Sequence, residues 1–365
     1  MDIENLTGTG MARLNVGLIG LGRLGRVYAR DLATRIPSVR LVAVADVEQA
    51  VAAGIAREYD VPRWYDNPAG LLEDSSVTAV VIVSPTRTHC ALTQAAAARG
   101  KAIFCEKPAA LSLEEALAMK AAVEASGVFF QLGFMRRFDR GYASAKRQIE
   151  AGAIGDPVVF RSTSRDPFRP SVEYADPRNS GGMIIDQGIH DFDLARWFMG
   201  EVERVQAIGG VLAYPELGEV GDIDNAIVTL QFTSGKLGAV DLTRNGVYGY
   251  DINTEILGTG GTLRVGYLRE TPLLLMTKGN VSYDVVPYFM ERFRDAYTSQ
   301  LENFVDNVLH DRPPPITVDD GVESLRIGIA ATRARESGQT VGVASVAPAA
   351  EEGAHSVPGS GRRGT

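Results

Sequence analysis

Residues 14–34 read LNVGLIGLGRLGRVYARDLAT, and no other stretch constrains the fold as far. An aliphatic run suited to a buried strand ends in Gly20-Leu21-Gly22-Arg23-Leu24-Gly25 and continues as an amphipathic helix. A chain with 39 glycines produces G-x-G-x-x-G by chance easily, so the pattern alone says little. At a strand-to-helix junction each glycine has a use. The first allows the tight turn, the second lets the backbone approach a pyrophosphate seated on the helix N-terminus, and the third lets helix and strand pack closely. The bland alternative is a tight turn with no ligand, and the strand–turn–helix context weighs against it. Asp46 ends the next strand, in VAVADVE, where a carboxylate accepts hydrogen bonds from ribose hydroxyls and repels a 2′-phosphate. No arginine immediately follows it, so NAD is expected over NADP. Helix capping is the competing role for that residue.

The alternation repeats downstream. VRLVAVAD, VTAVVIVSP, KAIFCEKP and VFFQLGF read as buried strands, with VEQAVAAGIAREYD, HCALTQAAAARG and SLEEALAMKAAVEASG as the helices between them. The last helix has a Ser112–Glu115 capping box and Gly127 at its end. Such a pattern predicts an α/β fold, with a Rossmann doubly wound parallel sheet over residues 13–134. After Phe134 the texture changes. Helical segments at 138–151 and 181–200 precede a series of period-2 runs, among them PLLLMTKG and VSYDVVP, and two helices split by RPPP close the series. These predict a second, α+β domain over 135–342 with a large, mostly antiparallel open sheet. Its last helix is placed to pack back on the first domain. Residues 1–12 read as a loose extension. Residues 343–365, rich in Ala, Pro, Gly and Ser, read as a disordered tail that contains His355.

Composition narrows the function classes. The formal net charge of −8 gives no electrostatic case for nucleic acid or an anionic membrane. No apolar stretch approaches a membrane span, and no basic start with an apolar run marks a signal peptide. Two cysteines, Cys90 and Cys105, make no disulfide framework and no metal spacing, so no metal is expected and a cytoplasmic setting is.

Two further stretches carry chemistry. GGMIIDQGIHDFD, at 181–193, sets Asp186 and His190 four residues apart, hence on one face of a helix, with Ile184, Ile185 and Ile189 free to pack inward. CEKP puts Lys107 at a strand's carboxyl end, where open α/β sheets bind ligands. Alone, an Asp/His pair is more often a surface or core feature, and a strand-end lysine is more often solvated.

Taken in order, the fingerprint, SPTRTH (84–89), EKP (106–108) and GGMIIDQGIHDFD resemble the Gfo/Idh/MocA family of nicotinamide-dependent sugar and polyol oxidoreductases. GFMRRFD, HDFDLARWFMG, DIDNAIVTLQF and VYGYD are similar more narrowly to its inositol 2-dehydrogenases. The resemblance implies a catalytic set of Lys107, Asp186 and His190. It implies NAD held by Gly20, Gly22, Arg23, Leu24, Gly25, Asp46, Ser84, Pro85, Thr86, His89, Glu106 and Lys107. It implies a substrate pocket drawn from Lys107, Met135, Arg136, Ser164, Asp166, Asp186, Gln187, His190, Tyr248 and Tyr250. A dimer or tetramer formed through the open sheet face is also implied. Ser164 and Asp166 stand where similar inositol dehydrogenases commonly carry His and Asn, and Gln187 departs from the small or apolar residues common there.

Those residue types suit alcohol oxidation. The reaction takes a proton from oxygen and a hydride from carbon, and the cofactor receives the hydride. His190 is the natural base and Lys107 the stabiliser of alkoxide charge, while Asp186 binds a neighbouring hydroxyl or orients His190. The expected reaction is NAD-dependent oxidation of myo-inositol to 2-keto-myo-inositol. Scyllo-inositol or a pyranose is the alternative substrate, and a non-catalytic nucleotide or sugar sensor is the competing class.

Overall fold

The computed structural model describes residues 12–348. The first part of the chain alternates strand and helix: β1 Leu14–Ile19, α1 Arg23–Thr34, β2 Val39–Ala45, α2 Gln49–Glu58, β3 Arg63–Tyr65, α3 Pro68–Glu73, β4 Ala79–Ile82, α4 His89–Ala97, β5 Ala102–Glu106, α5 Leu113–Ser126 and β6 Phe130–Gly133. The strands form one parallel sheet in the order β3-β2-β1-β4-β5-β6. Every residue of β4 is buried, which is why it reads as an unbroken apolar run. Ser112 Oγ accepts from Glu115 N at 3.2 Å, but Glu115 Oε2 reaches Leu111 N and not the N-cap amide, so the capping box is half reciprocal. Gly127 ends α5 in the left-handed region at φ 64°.

The second part runs α6 Arg140–Glu150, β7 Pro157–Arg165, α7 Val172–Ala175, α8 Pro177–Ser180, α9 Met183–Asp186, α10 Ile189–Met199, β8 Val202–Gly210, α11 Pro215–Glu219, β9 Asn225–Phe232, β10 Leu237–Thr243, β11 Asp251–Gly258 and β12 Thr262–Gly266. It then continues as β13 Leu275–Thr277, β14 Asn280–Ser282, α12 Phe289–Arg292, α13 Arg294–Leu309, α14 Val318–Ser337 and β15 Val341–Gly342. Seven strands form a mixed sheet, β12-β11-β7-β10-β9-β8-β15, in which β7 and β10 are parallel and the other pairs antiparallel. The inner positions of β7, such as Ser162 and Ser164, are buried under α10, and the alternate positions Arg161, Thr163 and Arg165 face outward.

Three expectations change here. PLLLMTKG and VSYDVVP do not join the large sheet. They form a separate hairpin, β13–β14, whose Leu275, Met276 and Val281 are exposed, because neither face meets the core. The helix expected over 181–200 is interrupted between α9 and α10 at Gln187–Gly188. The tail boundary at 343 also moves. Val343 and Val346 are buried, their apolar side chains covered by the core, and Val346 O accepts from Arg326 Nη1 at 2.7 Å. The rest of the expected tail, with His355, and residues 1–11 lie outside the described residues.

The last two helices return to the first sheet. Leu132 N donates to Ile316 O at 3.2 Å, Gln131 Nε2 to Gln300 O at 3.2 Å, and a Cβ on Gly321 would stand 2.7 Å from Leu132 Cδ2. The loop after β5 therefore lies beside α9, where Lys107 Nζ donates to Asp186 O, and α10 packs on β7 of the seven-stranded sheet.

Candidate active site

The glycine-rich turn has the shape a dinucleotide needs. Gly20 has φ 93°, and a Cβ there would stand 2.7 Å from Ser84 N. A Cβ on Gly25 would stand 2.0 Å from Gly20 O, so only glycine lets α1 start this close to β1. Gly22, the N-cap of α1, has no atom within 4 Å of its missing Cβ, which leaves the backbone open to a phosphate. Asp46 follows β2, accepts from Leu21 N at 2.7 Å and from Glu48 N at 3.0 Å, and so ties the turn to the second strand. It does not cap α2, whose N-cap is Glu48.

Two of the residues assigned to the cofactor are committed elsewhere. His89 is buried, with Nδ1 2.8 Å from Pro108 O and Nε2 2.8 Å from Ser84 O, so its ring joins the loop after β4 to the loop after β5. Glu106 is buried against Tyr28 and Gln300, its Oε1 accepting hydrogen bonds from the Tyr28 hydroxyl and the Gln300 amide, and its Oε2 accepts from Lys107 N at 3.2 Å. Burial raises its pKa. Both residues hold loops in place and present no free polar group to a ligand. Ser84 Oγ bonds Thr88 Oγ1 at 2.6 Å within the same loop.

Lys107 extends from the end of β5 across the cleft. Its Nζ donates to Asp186 O at 3.0 Å and lies 3.6 Å from Asp186 Oδ1. The break after α9 explains the first contact, because it leaves that carbonyl outside a continuous helical ladder. A Cβ on Gly188 would stand 2.4 Å from Ile184 O, so the break requires glycine. Asp186 Oδ1 also accepts from the Tyr174 hydroxyl at 2.9 Å, and Oδ2 lies 3.5 Å from Arg244 Nη2. Arg244 is buried and also pairs with Asp222, which accepts from Met183 N at 2.9 Å.

His190 lies in the first turn of α10 and is buried, edge-on to Phe134 at 6.1 Å between ring centroids. Its Nδ1 is buried without a hydrogen-bond partner. Burial, and then the charges of Lys107 and Arg136, push its pKa well below the ordinary imidazole value, so the ring is neutral near neutrality. No hydrogen bond joins it to Asp186, whose oxygens face Tyr174, Arg244 and Lys107. The expectation that Asp186 orients His190 is therefore replaced.

Asp166 follows β7, its amide bonded to Thr243 O at 2.9 Å. Burial and the neighbouring Asp186 carboxylate raise its pKa to about 7, against the lowering effect of Arg244, Arg136 and Lys107. Gln187 Nε2 donates to Ser164 O at 2.8 Å and Thr243 O at 3.0 Å, which fastens the interrupted helix to the two strands that carry Asp166. Tyr250 is buried beside Tyr288, 5.7 Å between centroids, and both feel the Asp166 charge.

Four assigned pocket residues do not join this group freely. Arg136 is buried and spent on Asp191 (2.7 Å) and Ser164 (3.1 Å), and Ser164 Oγ donates to the other Asp191 oxygen at 2.7 Å. Met135 is part of the core. Tyr248 bonds Asp251 at 2.7 Å and accepts from Arg165 at 3.0 Å, on the outward face of the sheet. Tyr174, Arg244 and Tyr288 were missed. Nothing local to VEYADP, LTRNG or VPYF distinguishes them from their neighbours. Tyr288 carries the Arg23 guanidinium 5.9 Å from its ring centroid, so it touches the cofactor loop as well as the substrate side. A separate groove of about 850 Å³ between α6, β12 and α13 contains none of Lys107, Asp186 or His190.

Comparison with known proteins gives the arrangement its class. Residues 14–134 match the oxidoreductase family's NAD-binding Rossmann fold, and residues 146–343 match the same family's C-terminal alpha/beta domain. The chain belongs to the Gfo/Idh/MocA family and is an NAD-dependent oxidoreductase. It is 40% identical over 330 residues to scyllo-inositol 2-dehydrogenase (NAD(+)) of Bacillus subtilis (strain 168), covering 90% of this chain and 96% of the relative. It is also 40% identical over 330 residues to myo-inositol 2-dehydrogenase of Thermotoga maritima, covering 90% and 98%. The crystal structure of scyllo-inositol dehydrogenase from Lactobacillus casei with bound NAD(H) and scyllo-inositol superimposes with a TM-score of 0.87 at 34% identity, over 91% of this chain and all of that one.

Proposed function

We propose that this protein oxidises a secondary hydroxyl of a cyclitol, with myo-inositol giving 2-keto-myo-inositol as the main reaction and scyllo-inositol as the second substrate. The observation that carries the reading is the meeting of Lys107, Asp186 and His190 at the carboxyl edge of the parallel sheet, with Lys107 Nζ 3.0 Å from Asp186 O. Bound NAD supplies the hydride acceptor, and the Gly20–Gly25 turn and Asp46 are the residues fitted to hold it. Lys107 donates a hydrogen bond to the reacting oxygen and stabilises negative charge there. His190, held neutral, accepts the hydroxyl proton. Asp186 accepts from a neighbouring ring hydroxyl. Asp166, titrating near neutrality, donates to a ring hydroxyl when protonated and accepts from one when ionised.

The enzyme works, in this reading, as a cytoplasmic homo-oligomer, up to a tetramer, with the boundary between its two domains near residue 134. Support for assembly comes from the outer face of the seven-stranded sheet. Ile208, Ile227, Leu237 and Leu257 are exposed there, and Ile208 pairs directly across from Ile227.

The test compares kcat/KM for myo-inositol, scyllo-inositol, D-glucose and D-xylose at saturating NAD. Both inositols should exceed the aldoses by at least about tenfold, the discrimination a few well-placed hydrogen bonds supply. Aldoses that outrun both inositols would replace the cyclitol by a pyranose.

A further inference from the structure

Asp186 meets an aromatic hydroxyl from the segment just before its own motif. Tyr174 lies on the single turn α7, in the stretch between β7 and α9, and its hydroxyl donates to Asp186 Oδ1 at 2.9 Å. That same oxygen is the one 3.6 Å from Lys107 Nζ. The Tyr174 side chain is about half exposed, at 48%, so it stands at the mouth of the cleft and not in the core. Phe168 and Tyr288 stack nearby with centroids 4.6 Å apart, giving the mouth an aromatic rim. Arg169 on Glu216 at 2.5 Å and Ser171 Oγ on Tyr174 N at 3.2 Å fix the approach of the segment.

A phenol has one proton. Here it is shared with a carboxylate, and the Asp186 charge beside it holds the phenol well above its ordinary pKa, so the proton stays on Tyr174. The hydroxyl oxygen is left with acceptor capacity only. A ligand group placed against it must therefore be a donor.

Resting on the cyclitol reading, we propose that Tyr174 is a specificity-determining residue whose oxygen accepts a hydrogen bond from one substrate hydroxyl adjacent to those held by Asp186. The pair reads the ring as a relay: substrate hydroxyl to Tyr174, Tyr174 to Asp186. A ring carbon carrying hydrogen or an ether oxygen at that place leaves the acceptor unfilled.

The experiment is a cycle between the enzyme and its substrate. Tyr174→Phe keeps the ring and removes the oxygen, and wild type and variant are assayed with myo-inositol and the series of mono-deoxy-inositols at saturating NAD. KM for intact inositol should rise about three- to tenfold in the variant, the worth of one neutral hydrogen bond. One deoxy analogue should show a comparable loss in wild type and no further loss in Tyr174→Phe. An unchanged KM, or analogue penalties that all persist in the variant, overturns the proposal. So does a fall in kcat alone, which would mean that Tyr174 only positions Asp186. Should wild type oxidise aldoses and no inositol, the cyclitol reading falls by itself, and the same cycle with mono-deoxy aldoses decides the role of Tyr174.

Discussion

Two charge clusters flank His190, and they behave oppositely. On one side Arg136, Asp191, Ser162 and Ser164 are all buried, and Asp191 receives Arg136, Ser162 and Ser164 on its two oxygens. On the other, Lys107 and Asp186 keep 20% and 16% of their side chains exposed, and Asp166 titrates near neutrality. The residues are of the same kinds. The first cluster has spent nearly all its hydrogen-bonding capacity inside the protein, while the second retains capacity for a ligand. Spare capacity beside solvent, and not charge density, separates a reactive site from a structural one.

Removing one member of each cluster should therefore cost different things. Lys107→Met should lower turnover about a thousandfold, the upper range for losing one charge-stabilising donor, with the melting temperature little changed. Turnover and melting curves on the same preparation check this, and near-normal turnover would break the contrast. Asp191→Asn should do the reverse. It leaves the Arg136 charge buried and short of its counterion, at about 3–5 kcal/mol of stability, while KM of the folded fraction stays close to wild type. Denaturant unfolding reads the loss, and a variant as stable as wild type would mean that the sealed cluster is not sealed.

The smallest effect concerns Asp166 and sharpens the comparison through pH. Its folded-state pKa, about 7, lies above that of an unfolded aspartate. The native state thus binds the proton more tightly, so its stability falls as pH rises from the ordinary carboxylate range through about 7. Asp166→Asn should lack that decline and melt higher than wild type on the alkaline side, with the two converging in acid. The pH-dependence of KM near neutrality should flatten in the same variant. Parallel melting curves at every pH would remove Asp166 from the open cluster.

Much of this is legible in the sequence. The glycine turn, the strand-end Lys107 and the Asp186/His190 spacing are local patterns, and the fold of the first sheet follows from continuous aliphatic strands. What stayed hidden depends on pairing at a distance. Arg244 reaches Asp186 across 58 residues, and an arginine before Asn-Gly reads as solvent-facing until Asp222 is seen beside it. Arg136 and Ser164 were misassigned for the complementary reason. They were assigned from the resemblance, and a shared motif places a polar residue near the pocket without showing which partner absorbs it. The helix break at Gly188 was missed because each flanking segment is helical on its own, and the clash with Ile184 O exists only in three dimensions.

The return of α14 to the first sheet sets the timing of assembly. A ribosome delivers this chain from its N-terminus, and all six strands of the parallel sheet have emerged by Gly133. Leu132 and Ala109 nevertheless wait for Gly321, on the last long helix, to seat against them. Until α14 has been made the nascent sheet has an open apolar seam, which is where a chaperone would bind and where a chain terminated before α14 would aggregate.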